Sequence, residues 1–387
     1  MKPKRNYRIH PATEADIPLM MGLLDHSRSL MRADGNTSQW VGYPTYDDLQ
    51  RDVEQQVSYL ILDGDTAVGT FALVPGDEPT YSYIDHGRWI DPRTPYATLH
   101  RLAKAEGAHG IAAAAFAFAK ERHTHLRVDT HESNRPMRHV LTGEGFVECG
   151  IIYMPDGAPR LACEWWRWDE VAESLQRWVE ESVLPQYSRF DTAHREDHAR
   201  RVVARAMTLY RHLRERLAPP TAPIGTMMPE MVFTAAAMHD LGLAEGREKH
   251  HLVSGRIIRA CCDLRRWFDE VQVETIAQAA EDHRASATTP PRSMLGRIIA
   301  EADRDVEPER IVRRTVEYGL SHHPDLDRGG HWQRTLEHLH EKYAEGGYIK
   351  LWLKDSPNAA PLAELRTLIA DEPRLRRLFD SIITNSR

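Results

Sequence analysis

The stretch Met231-Val232-Phe233-Thr234-Ala235-Ala236-Ala237-Met238 constrains the chain more than any other, because it is almost uniformly apolar and ends in His239-Asp240. A helix without a polar face has to be enclosed by other elements. Gly242 reads as its stop signal. Asp240 then sits at a helix C-terminus, where the macrodipole is negative and a carboxylate is badly placed without a cation. Burying that carboxylate beside an imidazole is costly unless something pairs with both. A metal ion answers both problems.

With 387 residues the chain can build two cores, and its texture changes near Trp166–Asp169. The fold class expected is α+β/α. Residues 1–167 form a mixed sheet flanked by helices, and residues 168–387 form an all-α domain with a C-terminal helical extension. In the first part, strand Tyr7–Ile9 precedes a helix over 16–31. Two strands then flank the turn Asp63-Gly64-Asp65. A strand over 96–102 leads through a glycine-containing loop into a helix over 111–122. Strand 126–129, a helix over 135–141 and a hairpin over 150–166 complete it. In the second part helices are expected over 169–184, 194–217, 229–240, 248–268, 271–283, 292–304 and 309–321.

Hydrophobic residues at 41% and charged residues at 28% are ordinary for a soluble globular protein. The net charge of -7 gives no basic footprint for nucleic acid. Four cysteines without CxxC spacing exclude zinc-ribbon and thioredoxin-like classes; Cys261-Cys262 reads as small core filler in a helix. The charged N-terminus lacks an apolar signal region, and the longest apolar run, 111–119, is too short to span a bilayer. These features predict a cytoplasmic protein that works on small molecules, with no nucleic-acid or membrane partner. An oligomer is compatible with all of them.

Histidine occurs 21 times, mostly in the second half. His198 starts a helical stripe through Val202, Ala206 and Leu209. His251 is followed on its face by Gly255, Ile258 and Cys262. His283 ends a stripe through Ile276 and Ala279/Ala280, and Asp303 follows Leu295, Ile299 and Ala302. His250 competes with His251, but the four-residue step to Gly255 favours His251. His331, His338 and His340 lie in a polar helical pattern and are expected to face solvent.

This ordered pattern resembles the HD superfamily of metal-dependent phosphohydrolases: a histidine (His198), then His239-Asp240, then a later aspartate (Asp303). The resemblance covers about residues 169–312. It implies one metal held by His198, His239, Asp240 and Asp303. His251 and His283 fall where dinuclear members place ligands for a second ion, with Asp240 as bridge and central catalytic ligand. Mixed nitrogen and oxygen donors suit a divalent transition metal, Mn, Fe, Zn or Co, as one or two ions. Lys249, Arg284 and Arg304 lie beside the presumed ligands as phosphate clamps, with solvated surface roles as the alternative.

In the first half, the element order together with Lys104-Ala105-Glu106-Gly107-Ala108-His109-Gly110, Asn134-Arg135-Pro136-Met137 and Gly145-Phe146 resembles the GNAT acetyltransferase superfamily. The resemblance implies acetyl-CoA as cofactor, bound by Lys104, Gly107, His109, Gly110, Ile111 and Asn134. A loop that bares backbone N–H groups at a helix N-terminus suits the pyrophosphate. The loop departs from the family's usual form at Ala108 and His109. Leu141 stands where the family often has a general-acid tyrosine. Asp129 and His131, just after the central strand, are candidates for the catalytic base. Trp40, Tyr81 and Tyr83 are candidates for an acceptor pocket.

The leading expectation is a bifunctional enzyme: an acetyl-CoA-dependent N-acetyltransferase joined to a metal-dependent phosphohydrolase acting on a phosphomonoester or phosphodiester, such as a nucleotide. Two alternatives stand beside it. The six-ligand set also resembles di-iron oxygenases built on the HD scaffold. Leu141 raises a regulatory reading, in which the first domain senses acyl-CoA and controls the second.

Overall fold

A computed structural model describes residues 7–190, 195–216, 227–354 and 356–385. The chain divides into two compact units, Met1–Asp169 and Glu170–Arg387.

The first unit is a seven-stranded sheet with the order β1-β2-β3-β4-β5-β7-β6. Its strands are β1 (Arg8–Pro11), β2 (Ser58–Asp63), β3 (Thr66–Pro75), β4 (Ala97–Lys104), β5 (His125–Thr130), β6 (Val147–Tyr153) and β7 (Pro159–Trp166). Helices α1 (Ile17–Ala33) and α2 (Tyr46–Glu54) lie between β1 and β2, α3 (Ile111–Arg122) joins β4 to β5, and α4 (Arg135–Gly143) follows β5. One core cluster gathers α3, α4 and one side of the sheet around Phe71, Phe116 and Leu126. Another holds α1 and α2 through Ile17, Leu24 and Leu49.

Two irregularities open this sheet. All its pairings are antiparallel except β4–β5, which is parallel and limited to Ala97↔Leu126 and Thr98↔Arg127. Past that point the two strands no longer hydrogen-bond. Opposite β3, β4 also carries an extra residue, since Thr70 pairs with Ala103 but Ala72 with His100. Arg101 in this bulge has φ 53°, and its guanidinium forks onto the Asp52 carboxylate (Nε–Oδ2 2.6 Å). A bulge of this kind bends the strand and re-aims its side chains.

The second unit is helical throughout its described residues: α5 (Glu173–Trp178), α6 (Glu196–Arg216), α7 (Pro229–Met238), α8 (His250–Ala260), α9 (Glu270–Asp282), α10 (Met294–Asp303), α11 (Pro308–His322), α12 (Arg328–Lys342), α13 (Ala359–Ala370) and α14 (Glu372–Asn385). Every residue of α7 from Met231 to Met238 is buried, and α6, α9 and α10 pack around it. Helices α11–α14 build a separate core from Val312, Trp332, Leu365 and Phe379.

Several expectations need correction. Residues 194 and 217, the ends expected for α6, lie outside the described residues. The helix expected from 169 begins at Glu173 and gives way to a π turn over Val179–Val183. The helix expected over 248–268 breaks at Cys261, whose extended backbone (ψ 98°) starts a 3-10 turn, and Cys262 is exposed. His331 is buried rather than solvent-facing. Gly242 is not a left-handed cap; it sits in a 3-10 turn. A Cβ there would lie 2.0 Å from His250 O and 2.6 Å from Ser254 N, so glycine is what lets α8 approach the end of α7.

Among the described residues no helix is long and apolar enough to cross a membrane.

Candidate functional site

The ends of five helices converge in the second unit. His198 comes from the first turn of α6, His239 and Asp240 follow α7, His250 opens α8, His283 caps α9, and Asp303 ends α10. Asp240 is central and divides its carboxylate between two sets of imidazoles. Its Oδ2 lies 3.6 Å from His198 Nε2 and 3.4 Å from His239 Nε2. Its Oδ1 lies 3.2 Å from His283 Nε2 and 3.4 Å from His250 Nε2. Asp303 Oδ1 joins the first set, 3.3 Å from His198 Nε2 and 3.7 Å from His239 Nε2.

The imidazoles are oriented from behind. His239 Nδ1 donates to Ala236 O (2.8 Å), His250 Nδ1 to Arg247 O (2.7 Å) and His283 Nδ1 to Ala280 O (2.5 Å). A carbonyl only accepts, so each Nδ1 carries a proton and each ring turns its Nε2 toward the cluster. His250 Nε2 and His283 Nε2 face each other at 3.2 Å, close enough to share a proton or to flank a metal ion. Histidines tied back in this way are the usual arrangement around a metal.

Electrostatics agree. Burial pushes the Asp240 carboxyl up, but His239, His198 and His283 around it outweigh this and hold it well below the usual carboxylate range. Burial pulls the His239 imidazole down, yet Asp240 and Asp303 raise it well above its ordinary value. The cavity between them therefore favours positive charge. His239 Nε2 and Asp240 Oδ1 are buried without a hydrogen-bond partner. Two donor groups have their atoms within 4.8 Å of one another: His198, His239 and Asp303, and His239, Asp240 and His283. This donor set, nitrogen and oxygen from separate helices, fits a divalent transition metal.

The second set is completed by His250, not His251. The buried face of α8 runs His250, Ser254, Ile258, the last two fully enclosed. Gly255, which pointed to His251, serves another purpose, because a Cβ there would strike the Glu281 side chain at 2.5 Å. His251 packs its ring against His250 at 5.6 Å. Burial, with His250 and His283 nearby, pulls its pKa down to about 4. Of the presumed phosphate residues, Lys249 is exposed, Arg284 donates to Glu248 O (2.8 Å), and Arg304 is buried and donates to Ala300 O. Tyr187 was not singled out by sequence reasoning. Fully buried, it donates its hydroxyl to Ala237 O (2.9 Å) and braces the turn that carries His239 and Asp240.

The first unit contains a cavity of about 1170 Å³ between β4 and β5. Lys104, His109, Gly110, Ile111, Asp129 and Asn134 line it; Gly107 and His131 do not. Gly107 (φ 69°) and Gly110 (φ 76°) take left-handed backbone that suits glycine, and Gly110 is the residue from which α3 starts. Its first turn therefore presents free N–H groups to the cavity. Asn134 accepts from Met137 N (3.2 Å) to cap α4.

Asp129 accepts the Tyr81 hydroxyl (2.8 Å). His131 instead meets Ser38 Oγ (3.1 Å) and Ser133 Oγ (2.8 Å), and burial lowers its pKa. Trp40 lines the cavity, whereas Tyr83 is exposed and stacks on Tyr153. Leu141 is buried in the core. A further pair on the wall, Glu78 and His100, has no local sequence signature; its Nε2–Oε2 distance is 3.2 Å. The hydrogen bond from His100 holds the Glu78 carboxyl down to about 2.

Residues 195–306 match the family model of the HD domain. The chain carries an HD domain. That domain contains His198, His239, Asp240, His250, His283 and Asp303. No curated protein sequence matches the chain.

Among solved structures, the chain is similar to a GNAT-family acetyltransferase from Streptococcus agalactiae 2603, at 26% identity over 42% of this chain and 96% of that one, with a TM-score of 0.39. It is also similar to a GNAT-family acetyltransferase from Listeria monocytogenes 4b F2365, at 14% identity over 42% and 95%, TM-score 0.34. A third is the ribosomal-protein-alanine N-acetyltransferase from Brucella melitensis, at 17% identity over 41% and 99%, TM-score 0.31. The stretch of about 42% of the chain that these structures cover compares with a first unit built on a mixed seven-stranded sheet, whose one parallel pair, β4–β5, parts after two residues.

Proposed function

We propose that this protein is a bifunctional enzyme, an acetyl-CoA-dependent N-acetyltransferase joined to a metal-dependent phosphohydrolase that acts on a phosphomonoester or phosphodiester. The observation that carries the second activity is the division of Asp240 between two sets of imidazoles, three of which, His239, His250 and His283, have Nδ1 held by backbone carbonyls. His198, His239, Asp240 and Asp303 would hold one ion, and His250 and His283, with Asp240 as bridge, a second. A divalent ion bound there lowers the pKa of a coordinated water and polarises a phosphoryl oxygen. The protein's own part is orientation. Backbone carbonyls fix three rings, Tyr187 braces the central turn, and the buried Arg304 guanidinium supplies positive charge beside Asp303 for a phosphate.

In the first unit, the left-handed glycines and the first turn of α3 would receive the pyrophosphate of acetyl-CoA, with Lys104 beside them. The gap between β4 and β5 would take the pantetheine arm. Asp129 lines the cavity and His131 does not, so Asp129 takes the role of base.

The testing experiment uses the full chain, purified without chelators. Phosphate release is followed over a panel of phosphomonoesters, phosphodiesters and nucleotides, and thiol release from acetyl-CoA over a panel of amines. Both activities are expected, with phosphate release abolished by Asp240→Ala and thiol release retained. The same split of Asp240 favours a second reading, a di-iron oxygenase. Iron content with oxygen consumption and no phosphate release would select it over hydrolysis.

A further inference from the structure

The cavity of the first unit contains a buried charge that stands apart from the glycine loop. Arg160, in β7, is 6% exposed and lines the cavity. Its hydrogen bond runs from Nη1 to the carbonyl of its own neighbour, Pro159 (2.9 Å), and among the described residues it forms no ion pair. Burial pulls the guanidinium below its ordinary pKa, and Asp129 and Asp156 draw it back only from a distance. A buried guanidinium without a carboxylate is expensive to keep. A planar fork of donors is matched by a carboxylate, which it can bind through two parallel hydrogen bonds.

Position separates this group from the cofactor loop. Lys104 to Gly110 leave the sheet from β4, whereas Arg160 stands on β7, with β5 between the two strands. The groups around Arg160 are Asp129, His131 and Asp156. The same cavity wall carries two acidic groups that suit an amine, Asp129 and the ionised Glu78. A volume of about 1170 Å³ exceeds what one drug-sized ligand fills.

We propose that the acetyl acceptor is a small amine that also carries a carboxylate, and that Arg160 binds this carboxylate while the amine lies toward Asp129. The inference rests on the acetyl-transfer reading above. In the step it serves, the amine nitrogen attacks the thioester carbonyl carbon. The N–C bond forms, the C–S bond breaks, the amine's proton passes to Asp129, and the CoA thiolate leaves as the thiol by taking up one proton from solvent, to which Asp129 returns its own.

The test compares amino acids with their own carboxamides as acceptors for the full chain, reading thiol release, with Arg160→Met and Arg160→Lys beside the wild type. Thermal melts of each variant check folding, and Arg160→Lys keeps the charge should Arg160→Met fold poorly. The acids are expected to be preferred in kcat/KM by about 30-fold or more, with the preference lost in Arg160→Met and partly kept in Arg160→Lys. Equal use of acids and amides by the wild type overturns the proposal and leaves acetyl transfer standing. So does an Arg160→Met variant that keeps the preference but binds CoA more weakly, since Arg160 would then serve the cofactor. If no amine is acetylated, calorimetric titration of the acids into the CoA-saturated chain decides, and absence of binding overturns the proposal. A chain that fails to bind CoA at all brings down the acetyl-transfer reading itself.

Discussion

Asp240 has one carboxylate oxygen for each set of imidazoles, 3.4 Å from His239 on one side and 3.2 Å from His283 on the other. Replacing it by alanine should therefore cost both positions together. Metal content, read by elemental analysis of the purified Asp240→Ala chain, should fall by at least about tenfold, and full occupancy would refute the assignment. Glu78 supports a prediction of a different kind. The hydrogen bond from His100 holds its folded-state pKa at about 2 against an ordinary 4.5. A depressed carboxylate stabilises the fold at pH above the ordinary value, and that contribution is lost as pH falls toward 2. The stability gap between wild type and Glu78→Gln, measured by urea unfolding, should shrink from about pH 5 to 3; a gap that widens would contradict it. His198, His239, Asp240, His283 and Asp303 could be read in the sequence because each stands at one end of an apolar helical stripe. The choice between His250 and His251 could not, because it turned on what Gly255 accommodates, and that is Glu281 from another helix. Glu78, His100 and Arg160 share no spacing and come to line one cavity only once the sheet is built.

The elements that carry ligands follow from periodicity. Helices α6, α7, α9 and α10 appear close to where their apolar stripes put them, and α7 is buried on every side as its composition requires. The C-terminal extension had no motif to speak for it, yet one buried residue of α10 ties it to the ligand helices. Glu301, fully buried, accepts from Ser356 Oγ (2.6 Å), Leu353 N (3.2 Å) and Trp352 N, while its own carbonyl accepts from Asn358 Nδ2 (2.9 Å). This anchor lies two residues before Asp303, so it holds the segment after α12 against the end of the ligand helix. Glu301→Gln turns an acceptor toward donors into a mixed group and should cost about 2–4 kcal/mol, read by urea unfolding. A loss under about 0.5 kcal/mol would show that the extension is held by its apolar core alone. No local pattern could reveal such an anchor, since its donors come from some fifty residues further along the chain.

At the scale of the molecule, the two units should respond to different ligands. A metal that binds the folded HD domain stabilises that domain in proportion to its affinity, and acetyl-CoA does the same for the sheet. Calorimetry of the full chain should show two transitions: one lowered by EDTA and unmoved by acetyl-CoA, the other raised by acetyl-CoA and unmoved by EDTA. A single transition that shifts with both would contradict this independence. The division into two domains was visible in the change of texture near residue 169, whereas the donor cavity depended on β4 and β5 parting after two pairs. Six side chains, His250 among them, would form one metal site shared through Asp240. The measurement that tests it most directly is elemental metal content per chain for wild type, His250→Ala and His251→Ala, all purified without chelators or a metal-binding tag. The predicted result is about two transition-metal ions in the wild type and in His251→Ala, and about one in His250→Ala. Loss of an ion in His251→Ala with none lost in His250→Ala, or no bound metal in the wild type, would contradict the account.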